Sequence, residues 1–187
     1  MRVALIYLAA GNSRRFGKGN KLLWPIEGKR MYLHLLERLE RIEKRHFEWE
    51  LLVVTQYPEI MEEAENLGVK TVFSPESYKG ASWTVKKALE AAGAMDAYVF
   101  FVADQPYLSE KTAEEFLEYM EKSGERLVYG GKLPTYFHSD ILDEDVACPY
   151  GVDDRKVLLF DNFTCMNEGE ILGKVSKEVI EQLPKSN

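Results

Sequence analysis

Cysteine is scarce in this chain: Cys148 and Cys165 are the only two in 187 residues. They have neither CxxC nor paired-histidine spacing, so neither a disulfide framework nor a zinc site is indicated, and a reducing, cytoplasmic setting is expected. Long apolar runs are missing as well. None approaches the ~18 residues that a membrane span needs. A signal peptide in MRVALIYLAAG would have to place its small-residue cleavage site inside a glycine loop. An excess of positive charge is also absent, since 24 Lys and Arg face 31 Asp and Glu, for a net charge of −7. That argues against a general binder of nucleic acid or of membrane surfaces, which both favour a basic face. Internal repeats and low-complexity segments are not found. What is present is a globular composition, 45% hydrophobic and 29% charged, in a length that suits one domain over residues 1–187.

The order of elements is legible over most of the chain. Arg2 to Leu8 carries the run VALIY, which predicts a strand buried on both faces. MYLHLLERLERIEK (31–44) places Leu33, Leu36, Leu39 and Ile42 three apart and predicts an amphipathic helix. LLVVT (51–55) is a second strand, followed by the helix EIMEEAENLG with Gly68 as its C-cap. VKTVF (69–73) is a third strand, SPESYKG a loop, and ASWTVKKALEAAG (81–93) a helix closed by glycine. AYVFFVA (97–103), the longest apolar run, predicts the central strand, and DQPYL breaks it. Ser109 with Thr112 opens the next helix, SEKTAEEFLEYMEKSG, and RLVYGG follows as a short strand. This alternation implies right-handed crossovers and a mostly parallel sheet, a three-layer α/β/α sandwich. Beyond Gly130, KLPTYFHSDILDEDVACPYG shows no clean period and reads as irregular. VDDRKVLLF reads as a short helix and SKEVIEQL as a terminal one.

The first strand runs directly into LAAGNSRRFGKGNKLL (8–23), which holds three glycines, two adjacent arginines and two lysines. A Walker loop needs four residues between its glycines and then Gly-Lys-Ser/Thr, whereas five separate Gly11 from Gly17 and Gly19 follows Lys18. A dinucleotide fingerprint needs GxGxxG, and Ser13 stands where its second glycine belongs. Both motifs fail. There remains a loop whose backbone can approach a ligand at Ala10 and Gly11, with Arg14, Arg15 and Lys21 nearby. Such a loop suits a polyphosphate, and a solvated surface turn is the plainer alternative.

The whole stretch fits the pattern LAAGxSxRFGxxNKLL and resembles the molybdenum-cofactor nucleotidylyltransferases, within the wider group of enzymes that transfer a nucleotide from an NTP. Two further landmarks are similar to that family's: KGASWTVKKAL (79–89), like its G-x-S-x-S-x-x-x-x-L helix start, and ADQPYL (103–108), like its ADQP. The resemblance implies a nucleotide-diphospho-sugar transferase-like fold and a role for each matching position. Backbone at Leu8, Ala9, Ala10 and Gly11, with Ser13 and Gly17, would hold the nucleotide. Arg15 and Lys21 would neutralise charge developing on the phosphates, and Asp104 would bind Mg²⁺. Ser82, in the first turn of its helix, and Gln105 would lie near the nucleotide or its acceptor. His34 and His138 are given no catalytic role. LAAG with RFG and DQP is similar to the branch using CTP and molybdopterin, whereas LAGG with DMP would point to GTP.

The C-terminal third departs from the family pattern. GGKLPTYFHSD stands where a GHP-containing segment is usual, and GVDDRKVLLF is similar to GDxGxRxLL. LGKVSKEVIEQL replaces the terminal DIDTPED, so an acidic residue is missing; if it is a second metal ligand, Asp104 serves with water and triphosphate, or Asp153, Asp154 or Asp161 is recruited. The alternatives to cytidylyl transfer onto molybdopterin are therefore another phosphorylated acceptor such as a sugar or alcohol phosphate, a guanylyltransferase, and a non-catalytic nucleotide-binding protein.

Overall fold

A computed structural model describes residues 1–14, 16, 19–123, 127–130, 133–138 and 158–159. Strand β1 (Val3–Leu8) is buried along its length because its side chains alternate between two apolar layers. It pairs in parallel on both edges, with β4 (Trp49–Thr55) on one side and β6 (Ala97–Val102) on the other. Leu5, Tyr7, Val53, Val99 and Phe101 point into one core. That core is closed by helices α1 (Met31–Glu43), α2 (Pro58–Asn66) and α4 (Glu110–Ser123). Ala4, Ile6, Leu52, Val54 and Phe100 point the other way and are covered by α3 (Ala81–Ala92). The result is the expected three-layer sandwich.

Among the described residues the main sheet also holds β5 (Lys70–Phe73), β7 (Leu127–Gly130), β8 (Leu133–His138) and β9 (Leu158–Leu159), in the order β5-β4-β1-β6-β8-β7-β9. AYVFFV thus occupies the middle position, as its apolar run predicts. A separate two-stranded ribbon, β2 (Pro25–Ile26) and β3 (Lys29–Arg30), leads into α1. Helix ends follow the sequence signals closely. Gly68 takes φ 80 after α2, Gly93 takes φ 67 after α3, and the Ser109 hydroxyl accepts the Thr112 N–H at 3.0 Å before α4.

Four expectations need correction. The buried stripe of α1 is Met31, Tyr32, Leu35, Leu36, Leu39 and Ile42, while Leu33 is only partly buried. A strict spacing of three drifts around a helix of 3.6 residues per turn, so that Leu33 and Ile42 end about 180° apart. SPESYKG is not plain loop, since Pro75–Lys79 wind as a 3-10 helix. LPTYFH is strand, and it runs antiparallel to β6 with His138 opposite Ala97. Pro134 hid it: this residue lies beyond the β6 pairing and beside the irregularity at Val128/Tyr129, where its missing N–H is tolerated. In VDDRKVLLF, Leu158–Leu159 form a strand parallel to β7, because a short apolar run does not by itself separate helix from strand. SKEVIEQL, Cys148 and Cys165 lie outside the described residues.

Two measurements check this packing. In urea titrations Leu36→Ala should lose about 2–5 kcal/mol, as large core truncations do, while Leu33→Ala should lose well under half as much. Gly80, the residue before α3, takes φ 150 and ψ 166, and a Cβ there would meet nothing within 4 Å. Gly80→Ala should therefore cost about 1–3 kcal/mol through backbone strain alone, and a shift near zero in the unfolding midpoint would contradict that conformation.

Candidate active site

The parallel register brings three chain exits to one end of the sheet. Leu8 stands opposite both Val54 and Val102, and the segments leaving β1 and β6, with the one entering α3, line a cleft of about 280 Å³. Leu8, Ala10, Gly11 and Asn12 line one side. Ser77, Gly80 and Thr84 come from the segment entering α3, and Val102, Ala103 and Asp104 from the end of β6. Lys21 and Leu22 complete the lining. Ligands of parallel sheets gather at such strand ends.

The loop after β1 is held from β4. The Thr55 hydroxyl donates to the Ala9 carbonyl at 2.8 Å, the Gln56 amide to the Ala10 carbonyl at 2.6 Å, and the Tyr57 hydroxyl to the Gly11 carbonyl at 2.6 Å. Three consecutive side chains thus fix three consecutive carbonyls. Gln56 also donates to Asn12 Oδ1 at 2.9 Å, and Asn12 Nδ2 donates to the Tyr78 carbonyl at 3.0 Å, which ties the loop to the opposite wall. Nothing in TQYP reveals this from sequence, because the partners are backbone groups 46 residues away. In the opposite wall, Thr84 donates to Ser77 and Ser77 to Ser74, a buried hydroxyl chain at 2.8 and 2.9 Å. The GxSxT spacing was the available signal for Thr84.

Lys21 and Asp104, 83 residues apart, form an ion pair across the cleft. Their side chains are 12% and 23% exposed, so both are largely desolvated yet reachable from the lining. Local bonds set Lys21 in place. Asn20 Oδ1 accepts the Leu22 N–H at 3.0 Å and caps the 3-10 turn Lys21–Leu23, and the Ser13 hydroxyl accepts the Lys21 N–H at 3.0 Å. Ser13 itself sits at φ 51, a left-handed conformation uncommon outside glycine and frequent at ligand clamps. On the far side, Arg38 of α1 donates to the Pro106 and Leu108 carbonyls of the loop carrying Asp104. Beneath, burial and then the charge of Asp104 push the Tyr7 hydroxyl well above its ordinary range. It stays protonated and donates to the Tyr32 carbonyl at 2.6 Å.

The residues expected from sequence fall into three groups. Leu8, Ala10, Gly11, Lys21 and Asp104 line the cleft together. Ala9 is fully buried, Ser13 supports the Lys21 backbone, and Gln105 is 1% exposed and outside the lining, its Oε1 without a hydrogen-bond partner among the described residues. Arg15, Gly17 and the side chain of Ser82 lie outside what the structure describes. Arg14 turns its guanidinium to the Tyr78 carbonyl at 3.3 Å. His34 bonds the Ile26 carbonyl at 2.9 Å and is not among the lining residues.

Among the described residues no three His, Cys, Asp or Glu side chains gather as a metal cluster. Asp104 is the acidic residue of the lining. Mg²⁺ is ordinarily held by one or two carboxylates together with substrate phosphates and water. Among the described residues one carboxylate lines the cleft, which fits a cation that arrives with a polyphosphate.

No curated protein matches the sequence. Solved structures do. A nucleotidyl transferase from Methanothermobacter aligns with TM-score 0.62 and 17% identity, over 91% of this chain and 83% of that one. CMP:2-keto-3-deoxy-manno-octonic acid synthetase, complexed with CTP, aligns with TM-score 0.56 and 18% identity over 71% of this chain, which spans only 55% of that one. The protein Rv0371c of Mycobacterium tuberculosis, in complex with manganese, gives 0.56 and 14%, over 77% and 74% of the two chains. At such identities the likeness is one of fold. The sequence itself matches a family model over residues 5–159, a span that contains the loop after β1, the start of α3 and Asp104. On that match this chain belongs to the family of MobA-like NTP transferase domains.

Proposed function

We propose that this protein is a nucleotidyltransferase that moves CMP from CTP to a phosphorylated acceptor, molybdopterin, and releases pyrophosphate. The observation that carries the reading is the meeting of Lys21 and Asp104 in a cleft walled by loop backbone. Family membership supports nucleotide transfer, and the fold likeness to a synthetase solved with CTP supports the choice of cytidine. A phosphate oxygen of the acceptor attacks the α-phosphorus in line as the bond to the bridging oxygen breaks and pyrophosphate leaves. A phosphate monoester is nucleophilic at neutral pH, so no general base is required. Positioning and neutralisation of charge are what remain to be supplied.

Lys21 exchanges its carboxylate partner for the triphosphate and stabilises the charge that builds on the departing oxygens, with Arg15 as the second cation. Asp104, released from Lys21, is the residue to hold Mg²⁺. When bound, the cation supplies charge neutralisation and polarises the phosphoryl oxygens. Backbone at Leu8, Ala10 and Gly11 takes the nucleotide, with the loop carbonyls already fixed by Thr55, Gln56 and Tyr57. Ser82 and Gln105 are assigned a place near the nucleotide or its acceptor. The departure of the C-terminal segment from the family pattern favours one second reading, transfer to a sugar or alcohol phosphate.

Pyrophosphate release from each NTP in the presence of Mg²⁺ and candidate acceptors tests the reaction. Release confined to CTP with molybdopterin is expected; release with a sugar phosphate alone would move the assignment to the second reading, and binding without release would end the enzymatic one. Lys21→Ala and Asp104→Ala should each lower turnover by about a hundredfold or more, the scale of losing a transition-state charge partner, with the far-UV CD spectrum unchanged. Near-normal turnover in either variant would remove that residue from its role.

A further inference from the structure

Helix α1 carries Arg38, Arg41 and Arg45 at spacings of three and four, which puts them on one face toward α4. Arg41 pairs with Glu110 at 2.9 Å, and Arg45 pairs with Glu110 and Glu114 at 3.0 and 2.9 Å. Arg38 makes different bonds. Its Nη1 donates to the Pro106 carbonyl at 2.6 Å and to the Leu108 carbonyl at 2.8 Å, two and four residues beyond Asp104. Burial of this guanidinium pulls its pKa down, with Arg41 adding to the effect, yet a guanidinium stays charged. A cation is therefore partly desolvated with backbone oxygens as its acceptors. Such charge-assisted bonds exceed neutral ones in strength and fix the groups that receive them.

Burial seats the loop they fix, since Ala103, Gln105, Pro106 and Leu108 are all buried, and backbone bonds hold its two ends. Ala103 is anchored by its N–H to the Leu8 carbonyl at 3.1 Å, and Leu108 is fully buried and returns its N–H to Gln105 at 3.3 Å. Pro106 has no N–H to give. Helix α1 is itself fastened to β1 through the Tyr7 hydroxyl. A rigid path thus runs from the sheet through α1 and Arg38 to the residues just beyond Asp104.

We propose that Arg38 is a positioning residue for Asp104: by holding the Pro106 and Leu108 carbonyls it sets the carboxylate that faces Lys21 across the cleft. The chemistry of that carboxylate rests on the reading above, in which Asp104 meets the divalent cation carried by the nucleotide. A simple folding staple would act differently, lowering stability and weakening every ligand alike. Positioning acts on the cation and the chemical step and leaves nucleotide affinity alone.

The test is a double-mutant cycle on the full chain, with Mn²⁺ binding followed by electron paramagnetic resonance in the presence of CTP. Arg38→Met should weaken Mn²⁺ by about tenfold or more and lower kcat by a similar factor, as losses of outer-shell partners do, while metal-free CTP affinity stays within about twofold. Arg38→Lys should recover part of the loss. In an Asp104→Ala background the Arg38→Met effect on Mn²⁺ should disappear, and an additive loss there overturns the proposal. So does unchanged Mn²⁺ affinity and kcat in a folded Arg38→Met variant, or a fall in CTP affinity equal to the fall for the metal. If Arg38→Met loses its cooperative unfolding transition, Arg38→Gln is judged by the same affinities. Wild-type protein that binds Mn²⁺ with CTP but releases no pyrophosphate with any acceptor refutes nucleotidyl transfer and leaves the Arg38 cycle decisive on metal affinity; wild-type protein that binds no Mn²⁺ overturns both.

Discussion

Leu8 stands level with Val54 on one side and Val102 on the other, and the geometry of the cleft descends from that register. Three strands running the same way release their chains at one edge, so a loop, a turn and a carboxylate far apart in sequence meet without any being placed individually. A slip of one residue would turn Tyr7 and Phe101 out of their core and Ile6 and Phe100 into it. Two well-filled apolar layers forbid that slip. Lys21 and Asp104 face each other because hydrocarbon packs correctly some distance below them.

Above the sheet the organising rule is different. The loops around the cleft are fixed chiefly through their carbonyl oxygens, by Thr55, Gln56 and Tyr57 for the segment after β1 and by Arg38 for the segment after β6. A neutral bond of this kind contributes only about 0.5–1.5 kcal/mol net, but those from Thr55, Gln56 and Tyr57 together remove the freedom that glycine brings to Gly11. A loop rich in glycine is usually thought of as pliable. Here its flexibility serves close approach, and its stiffness comes from neighbours.

The fold was legible in the sequence because β1, β4 and β6 are continuous apolar runs and because Gly68, Gly93 and Ser109 mark helix ends by well-understood backbone chemistry. The strand Leu133–His138 was not, since Pro134 ordinarily argues against a strand and only the pairing pattern makes it harmless. Half of the cleft was equally plain: Lys21, Asp104 and the Ala10–Gly11 backbone lie in contiguous motifs. What sequence did not disclose were residues whose work is done on another element's backbone. Gln56 and Arg38 look like ordinary solvated positions of a strand end and an amphipathic helix, because a carbonyl acceptor carries no residue-type signature.

The placement of β1 between two later strands also has a history in time. Its pairing with β4 can form once residues near Thr55 are available, but its other edge has no partner until AYVFFV is made, 94 positions away at the clasp between Arg2 and Asp96. At roughly 5–20 residues per second the intervening stretch takes several seconds to synthesise. For that interval a strand of Val, Ala, Leu, Ile and Tyr presents open hydrogen-bonding groups, a known route to wrong partners. The same arrangement that gathers the cleft thus makes the nascent chain most vulnerable just before the cleft exists, and ties its safe production to the arrival of the segment that ends in Asp104.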